Sequence, residues 1–207
     1  MRFSRRAARV LPASFFARPA DIVARELLGG LVVSRLGGVV TSGRIVETEA
    51  YLGGPDPASH AYQLRKTVRN QALFGAPGTW YVYLSYGIHW CANLVCRKEG
   101  SGSAVLLRAL EPVDGIPKMK ARRGVARERL LCSGPGRLCQ ALDMTIDLDG
   151  KRMNRSDVRV LEPEVSGDQV VAVTSRIGIT KAADWPLRFV LAESLHLSKR
   201  VRPAIPG

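Results

Sequence analysis

The sequence predicts one compact α+β domain built on a largely antiparallel, curved sheet with short flanking helices. Short β-branched and aromatic runs recur between Gly- and Pro-containing turns, and helical periodicity is confined to a few short segments. The 207 residues, 46% of them hydrophobic, suffice to bury a core without disulfides. We expect a basic, flexible N-terminal arm over 1–17, the domain over 18–200 and a C-terminal tail over 201–207.

The first half of the chain predicts a helix followed by two paired strands. Apolar residues at helical spacing favour a helix over 22–28, and Asp21 before it is a suitable N-cap. Runs led by β-branched residues favour strands over 31–36 and 39–51. A glycine pair between these runs fits a tight turn, so we expect an antiparallel hairpin.

The second half predicts a second hairpin and further strands. The aromatic run at 79–86 and the apolar run at 88–96 favour two strands with Tyr86 beside their turn, and a third strand is expected over 104–111. Additional strands are expected in three short apolar runs, at 158–161, 169–174 and 187–191.

Helices are expected on either side of a basic segment in the middle of the chain. One begins within 112–124, where the sequence turns strongly basic. The other covers 133–143, with Ser133 as a possible cap and Pro135 in its first turn.

The charge balance raises the prior for a nucleic-acid partner. Lys and Arg total 31 against 18 acids, giving a net charge of +13, and 24 of the bases are arginine. Arginine suits forked phosphate contacts and stacking on bases. Ribosomal and membrane-surface proteins share such a charge, so it does not identify the partner.

Cysteine and histidine spacing predicts neither disulfides nor a metal site. No Cys-x-x-Cys occurs and the three histidines lie far apart, so we expect reduced, buried thiols and no metal. Residues 1–20 lack the apolar run of a signal peptide, and no run of about 20 apolar residues suggests a membrane span. These features favour a cytoplasmic, or nucleoid-associated, protein.

Strand alternation places Glu47, Glu49 and Tyr51 on one face of the strand predicted over 39–51. On this stretch alone, a solvated strand face is the favoured interpretation. The alternative is a pocket wall, where burial would raise the pKa of a glutamate that serves as a base.

The aromatic run also has two interpretations. Trp80, Tyr81 and Tyr83 are most simply sheet-packing residues, and composition favours that. Alternatively, tyrosines near a turn and flanked by basic loops supply stacking surfaces for bases and a wedge for duplex DNA.

Several separated blocks, in the same order, carry a resemblance to one family. The blocks are Arg44 to Gly53, His60, Thr67 to Asn70, Pro77 to Tyr83, Tyr86-Gly87, Asn93, Leu106 to Pro112, Leu131 to Pro135 and Leu138 to Leu142. Over about 18–191 the chain closely resembles the alkyladenine (3-methyladenine) DNA glycosylases. The resemblance implies a monofunctional base-excision enzyme that flips a damaged purine out of duplex DNA and hydrolyses its N-glycosidic bond.

The resemblance also assigns catalytic positions. Glu49 matches the catalytic glutamate, and Arg108 matches the arginine that helps to hold the nucleophilic water. Bond breakage leaves an oxocarbenium-like sugar, so a carboxylate beside it both stabilises charge and activates water. An arginine next to that buried carboxylate would keep it ionised. Glu47 is expected to be structural.

Base-binding positions follow in the same way. Tyr51, His60 and Tyr83 match the pocket that sandwiches the flipped base, and Asn93 matches the position that discourages normal guanine. For His60 a loop histidine serving as a cap remains the alternative.

DNA-contacting positions are implied at the predicted hairpin and beside it. Tyr86 matches the residue that intercalates in the minor groove, so the hairpin is expected to protrude and insert into DNA. Thr67 and Arg69 match backbone-contacting positions. The chain departs from the expected residue types at 88–90. The basic run 118–129 cannot be matched to the family residue by residue. We favour a surface that contacts DNA phosphates over a merely solvated face.

The partner implied is double-stranded DNA containing damaged purines, bound by a monomer without cofactor or metal and with no membrane contact. Two alternatives stay open. A non-catalytic binder of damaged DNA would need neither Glu49 nor Arg108, and an RNA-binding protein is favoured by charge alone.

Overall fold

The computed structural model describes residues 9–163 and 169–201, and it confirms the predicted α+β class. The described strands are β1 (Leu31–Ser34), β2 (Thr41–Tyr51), β3 (Trp80–Ser85), β4 (His89–Cys96), β5 (Ser103–Asp114), β6 (Val158–Leu161), β7 (Val171–Thr174) and β8 (Arg188–Leu191). The described α-helices are α1 (Ala13–Phe16), α2 (Ala20–Glu26), α3 (Ile116–Arg123) and α4 (Pro135–Leu142). Every strand predicted from the sequence is present.

The strand β2 organises a curled antiparallel sheet. One of its edges pairs with β5, while the other pairs first with β1 and then with β8. The strand order β3-β4-β5-β2-β1-β6 is extended by β8, which pairs with β2 and β7. A register shift between Ile45 and Glu47 lies where the second edge changes partner, and such irregularities bend and twist a strand. The segment from Glu47 to Glu49 is therefore flanked by β5 and β8.

The core lies between the sheet and the helices. Helix α2 packs on β2, β5 and β8, and α4 packs on β4, β5 and α3. Trp80 at the start of β3 is fully buried, and its indole N–H donates to the Val158 carbonyl at 3.2 Å. A smaller cluster that includes Phe74, Tyr81 and Val95 packs beside the main core.

The β3–β4 hairpin protrudes, as predicted. Tyr86 and Gly87 have φ of +50° and +70°, and the Ile88 amide donates to the Ser85 carbonyl at 3.0 Å. Positive φ at both central residues is the pattern of a type I′ turn, and Ile88 is the third loop residue before β4 begins. Tyr86 is 89% exposed and Ile88 72% exposed, so two large apolar side chains stand at the tip.

Both predicted helix caps are wrong. Helix α2 begins at Ala20 with Pro19 as its N-cap, which places Asp21 inside the first turn. Helix α4 begins at Pro135 with Gly134 as its N-cap. The Ser133 hydroxyl instead accepts a hydrogen bond from Arg137 at 3.0 Å, so it is engaged elsewhere.

The predicted arm and tail fall largely outside the described residues, since residues 1–8 and 202–207 are not described. Within 9–17 the structure places helix α1, whose Phe16 is fully buried. The domain boundaries themselves stay predictions.

Trp80→Ala should lower the free energy of unfolding by about 3–5 kcal/mol, because it removes the largest fully buried side chain and leaves a cavity. Urea unfolding followed by circular dichroism measures the loss. Val68→Ala is the control, since Val68 is 90% exposed and should change stability by less than about 0.5 kcal/mol. Equal midpoints for the two variants would contradict the packing described.

Candidate active site

A cavity of about 500 Å³ opens on the face of the sheet from which the hairpin protrudes. This volume is within the usual range for small-molecule and base pockets. The cavity brings together seven of the nine site residues predicted from the sequence, namely Tyr51, His60, Arg69, Tyr83, Tyr86, Asn93 and Arg108. Glu49 lies behind its wall, and Thr67 is not among the lining residues. The chemical roles of these residues stay predictions.

Glu47 and Glu49 share a face of β2, as alternation predicts, but the favoured interpretation of that face as solvated is wrong. Both carboxylates are fully buried. Arg108 Nε on the neighbouring strand β5 lies 3.1 Å from Glu47 Oε1 and 3.4 Å from Glu49 Oε1. Buried charges require such partners, because an unpaired charge in a protein interior is strongly destabilising.

The Glu49 carboxylate accepts hydrogen bonds from two residues that line the cavity. Its Oε2 accepts from the Tyr51 hydroxyl at 2.9 Å, and its Oε1 accepts from the Ile177 amide at 2.7 Å. Burial raises the pKa of Glu49 above its usual range, although Arg108 and both hydrogen bonds favour the ionised form. Arg108 therefore stabilises the carboxylate, as expected, but does not outweigh burial.

Glu47 is tied to a different part of the molecule. Its oxygens accept from Arg188 Nε at 2.7 Å and from the Ser198 hydroxyl and amide at 2.7 and 2.6 Å, besides Arg108. These bonds attach β8 and the segment after it to β2. Glu47 thus fixes the position of Arg108. Its bonds to Arg188 and Ser198 also hold β8 and the segment after it over the two acids.

Aromatic rings form one wall of the cavity. His60 Nδ1 and the Tyr81 hydroxyl share a hydrogen bond of 2.8 Å, and the ring centroids of His60 and Tyr83 are 4.6 Å apart at 68°. Tyr81 and Tyr83 stack at 5.4 Å. Burial lowers the pKa of His60, and the charge of Arg69 lowers it further. The imidazole is therefore a wall residue, bonded to Tyr81, in which the neutral form is favoured.

Asn93 lies on β4, paired with Tyr81 of β3 on one side and with Leu106 of β5 on the other. It is almost fully buried on β4, and its Nδ2 donates to the Tyr81 carbonyl at 3.1 Å. This bond holds the side chain in place where it lines the cavity.

The rim combines the hairpin tip with a basic loop. Arg69 donates to the Leu84 carbonyl, and its guanidinium carbon lies 5.9 Å from the Tyr83 ring centroid. These contacts tie the loop to β3 below Tyr86. Thr67 is exposed on the same loop, and its amide donates to Asn70 Oδ1 at 2.7 Å.

The basic run 118–129 is not a uniform cationic surface. Arg122 donates to the Leu36 and Ala141 carbonyls and pairs with Asp143, and Arg123 donates to the Leu131 carbonyl. Lys120 pairs with Glu128 at 3.1 Å. The remaining cations of the run are exposed, namely Lys118, Arg127 and Arg129. About half of the run therefore holds α3 against its neighbours.

The four cysteines are free and buried, as expected from their spacing. Across 9–163 and 169–201, the structure contains no group of three or more His, Cys, Asp or Glu side chains arranged to hold a metal ion. In the same residues, no helix has the length and apolar character needed to cross a membrane.

Sequence reasoning missed two contributors to the cavity. Tyr81 packs in the smaller core cluster, as the sheet-packing interpretation predicts, but it also lines the cavity, and alternation with Tyr83 on one strand is the signal for that second position. Ile177 acts through its backbone amide, which no side-chain pattern reveals, and it lies 128 residues from Glu49.

Comparison with known proteins identifies the class of enzyme that carries this site. A relative from Methanoculleus marisnigri is 50% identical over 194 residues, covering 92% of this chain and 99% of its own length. Relatives from Nitrobacter winogradskyi and Agrobacterium fabrum are each 49% identical, covering 94% and 93% of this chain and 89% and 94% of their own lengths. All three carry the name "Putative 3-methyladenine DNA glycosylase".

The protein is a DNA glycosylase, a hydrolase of N-glycosyl bonds that acts in base excision repair. It belongs to the family described as Methylpurine-DNA glycosylase (MPG), whose model matches residues 14–195. The resemblance identified from the sequence is confirmed, and DNA is the substrate.

His60 should stay neutral to a lower pH than an ordinary histidine, for which the pKa is about 6.5. Nitrogen-15 NMR of the imidazole rings measures this, with His60→Asn to assign the signal. Arg69→Ala should raise the midpoint, because it removes a neighbouring positive charge. A wild-type midpoint at or above the ordinary value would contradict the lowering of the His60 pKa by its surroundings and by Arg69.

Proposed function

We propose that this enzyme hydrolyses the N-glycosidic bond of damaged purines that it flips out of duplex DNA, using a water activated by Glu49. The observation that carries the proposal is a fully buried glutamate held by Arg108 and by two residues of an aromatic cavity. A glutamate that served only as a solvated surface residue would not be fully buried. A glutamate with a raised pKa, placed beside a base-sized cavity, suits proton abstraction near neutral pH.

The chemistry needs a negative charge close to the sugar. Cleavage of the glycosidic bond leaves positive charge on the sugar ring, and an ionised Glu49 would stabilise it while removing a proton from the attacking water. Arg108 would help to hold that water, since its guanidinium reaches both acids of β2. Glu47 would remain a structural partner of Arg108.

The aromatic cavity supports purines as the flipped base. Tyr51, His60 and Tyr83 would sandwich the base, and stacking of this kind is worth about 1–3 kcal/mol per base. Electron-poor alkylated purines are expected to bind more tightly still, because the faces of these rings are electron-rich. Asn93 would crowd the exocyclic amine of normal guanine. The names of the relatives point to 3-methyladenine among the substrates, and we extend the class to deaminated purines such as hypoxanthine.

The exposed hairpin tip supports insertion into the duplex. Tyr86 would fill the gap left by the flipped nucleotide, and the unusual neighbours Ile88 and His89 would enter the groove with it. Arg69 and Thr67 would contact the backbone and position the protein without specifying sequence. A net charge of +13 supports phosphate attraction over a wider surface.

We further propose that the enzyme works as a monomer in the cytoplasm or nucleoid. Four free, buried thiols are typical of a reducing compartment.

Glu49→Gln should reduce base release by about 10²–10⁴-fold while leaving binding to the damaged duplex largely intact, because the amide keeps the shape but cannot accept a proton. The measurement is single-turnover release from a duplex carrying one hypoxanthine, run beside the same duplex with 7-methylguanine. Glu26→Gln, a carboxylate on α2 outside the cavity, is the control and should act as wild type.

Release by Glu49→Gln at the wild-type rate would reject Glu49 as the base. No release by wild type from either duplex, with damage-dependent binding retained, would favour the non-catalytic binder instead.

Tyr86→Ala should weaken binding to a damaged duplex by more than it weakens binding to the same lesion in single-stranded DNA. The reason is that only a duplex leaves a stacked gap for the ring to fill. Fluorescence anisotropy with both DNAs measures the two losses, and Tyr62→Ala is the control, since Tyr62 is an exposed tyrosine that does not line the cavity. Equal losses for the two DNAs would show that Tyr86 is not a wedge.

A further inference from the structure

Arg176 is a buried cation that the proposed chemistry does not use. Its side chain is fully buried and forms a two-pronged ion pair with Asp56, at 2.6 Å from Nη1 and 2.9 Å from Nη2. Nη1 also donates to the Ala50 carbonyl at 3.1 Å, on the strand that carries Glu49 and Tyr51. Paired charges this deep cost free energy to desolvate, so fold stability alone is a weak reason for placing them there.

The guanidinium lies behind one wall of the cavity. Its central carbon is 4.7 Å from the Tyr51 ring centroid and 6.0 Å from the Trp185 ring centroid. Tyr51 lines the cavity and bonds Glu49 through its hydroxyl. The planar guanidinium of Arg176, fixed by its ion pair with Asp56, therefore supports the Tyr51 ring. A bound base would stack on the plane of that ring.

The same residue anchors a loop that closes the cavity, here called the 176–182 loop. Directly after Arg176, the Ile177 amide donates to Glu49, and residues 177–179 line the cavity. At the far end of the loop, the Ala182 carbonyl lies 3.5 Å from Nη2 of Arg176. Ala182 has a φ of +45°, which is unusual for a non-glycine residue. Both ends of the loop thus meet one guanidinium.

We propose that Arg176, paired with Asp56, is a positioning residue for base excision, which fixes the plane of Tyr51 and holds the Ile177 amide on Glu49. This inference rests on the proposed function of the cavity. Arg176 touches neither the base nor the water in this account. It acts through Tyr51 and through the backbone of the 176–182 loop, the two sources of the hydrogen bonds to Glu49.

Loss of this positioning is expected to change the pKa of Glu49. The charged or titratable groups near that carboxylate are Arg108, Glu47, Tyr51, Tyr83 and Cys91. A variant at Arg176 leaves all of them in place but loosens the Ile177 amide. Because that amide favours the ionised form, its loss raises the pKa of Glu49 further. Excision requires the ionised form, so activity on the acid side would be lost at a higher pH.

The test compares Arg176→Lys with wild type on a duplex carrying one 7-methylguanine. Lysine keeps the charge but cannot form a two-pronged pair or support a ring face. We expect a single-turnover rate lower by a factor of about 10 to 100, as for a reacting geometry misplaced by a fraction of an ångström to an ångström. We also expect the acid limb of the pH–rate profile to move to higher pH.

Arg18→Lys is the matched control. Arg18 also pairs with a carboxylate, that of Glu26 at 2.7 Å, and also lies over an aromatic ring, that of Phe15 at 4.5 Å, but it is not among the residues that line the cavity. The control should leave both the rate and the acid limb unchanged.

A second readout does not depend on catalysis. Hydrogen–deuterium exchange of peptides covering 176–182 should be slow in wild type and much faster in Arg176→Lys and in Asp56→Asn, with exchange in β4 unchanged. Asp56→Asn keeps the arginine and its ring contact but weakens the ion pair, so it is a second, independent variant if Arg176→Lys folds poorly.

The outcomes separate this inference from the proposed function. A wild type that releases no base contradicts the proposed function, and the exchange data still decide whether Arg176 anchors the loop. A wild type that excises, beside folded Arg176→Lys and Asp56→Asn variants with unchanged rate, acid limb and exchange, overturns the positioning role.

Discussion

The burial of two carboxylates on one strand is the constraint on which the rest of the site depends. Glu47 and Glu49 are both fully buried on β2, with Arg108 of β5 reaching the two of them. Removing such charges from water costs several kcal/mol per ion unless partners and hydrogen bonds compensate. Each element that encloses the two carboxylates must therefore supply a hydrogen-bond donor to one of them.

The two acids meet this requirement in different ways. Glu47 receives Arg188 and Ser198, which attach β8 and the chain after it to the sheet. Glu49 receives donors from Tyr51 and Ile177, which line the cavity. One carboxylate is thus saturated by the fold, while the other is held by the residues that would surround a flipped base. This division fits a structural role for Glu47 and a chemical role for Glu49.

Much of the fold was predictable from local sequence. Alternation placed Glu47, Glu49 and Tyr51 on one face, and the tyrosine-rich hairpin was located with its tip at Tyr86. Alternation identifies a face but does not identify what covers it, so this stretch alone favours a solvated acidic face. The covering donors Ile177 and Ser198 lie 128 residues after Glu49 and 151 residues after Glu47. The family resemblance predicted nine site residues, seven of which line the cavity, but it did not indicate Arg176, whose contacts to Ala50 and Asp56 depend on tertiary packing.

The wild-type pH–rate profile of base release is the most direct test of Glu49 as the catalytic base. A duplex with 7-methylguanine is the suitable substrate, because a leaving base that already carries positive charge does not need a proton from the enzyme. If Glu49 is the base, the rate falls as pH drops through its raised pKa, so the midpoint lies above the value of about 4.3 for an ordinary glutamate. A rate that stays constant down to that value, in protein still folded by circular dichroism, would contradict the account.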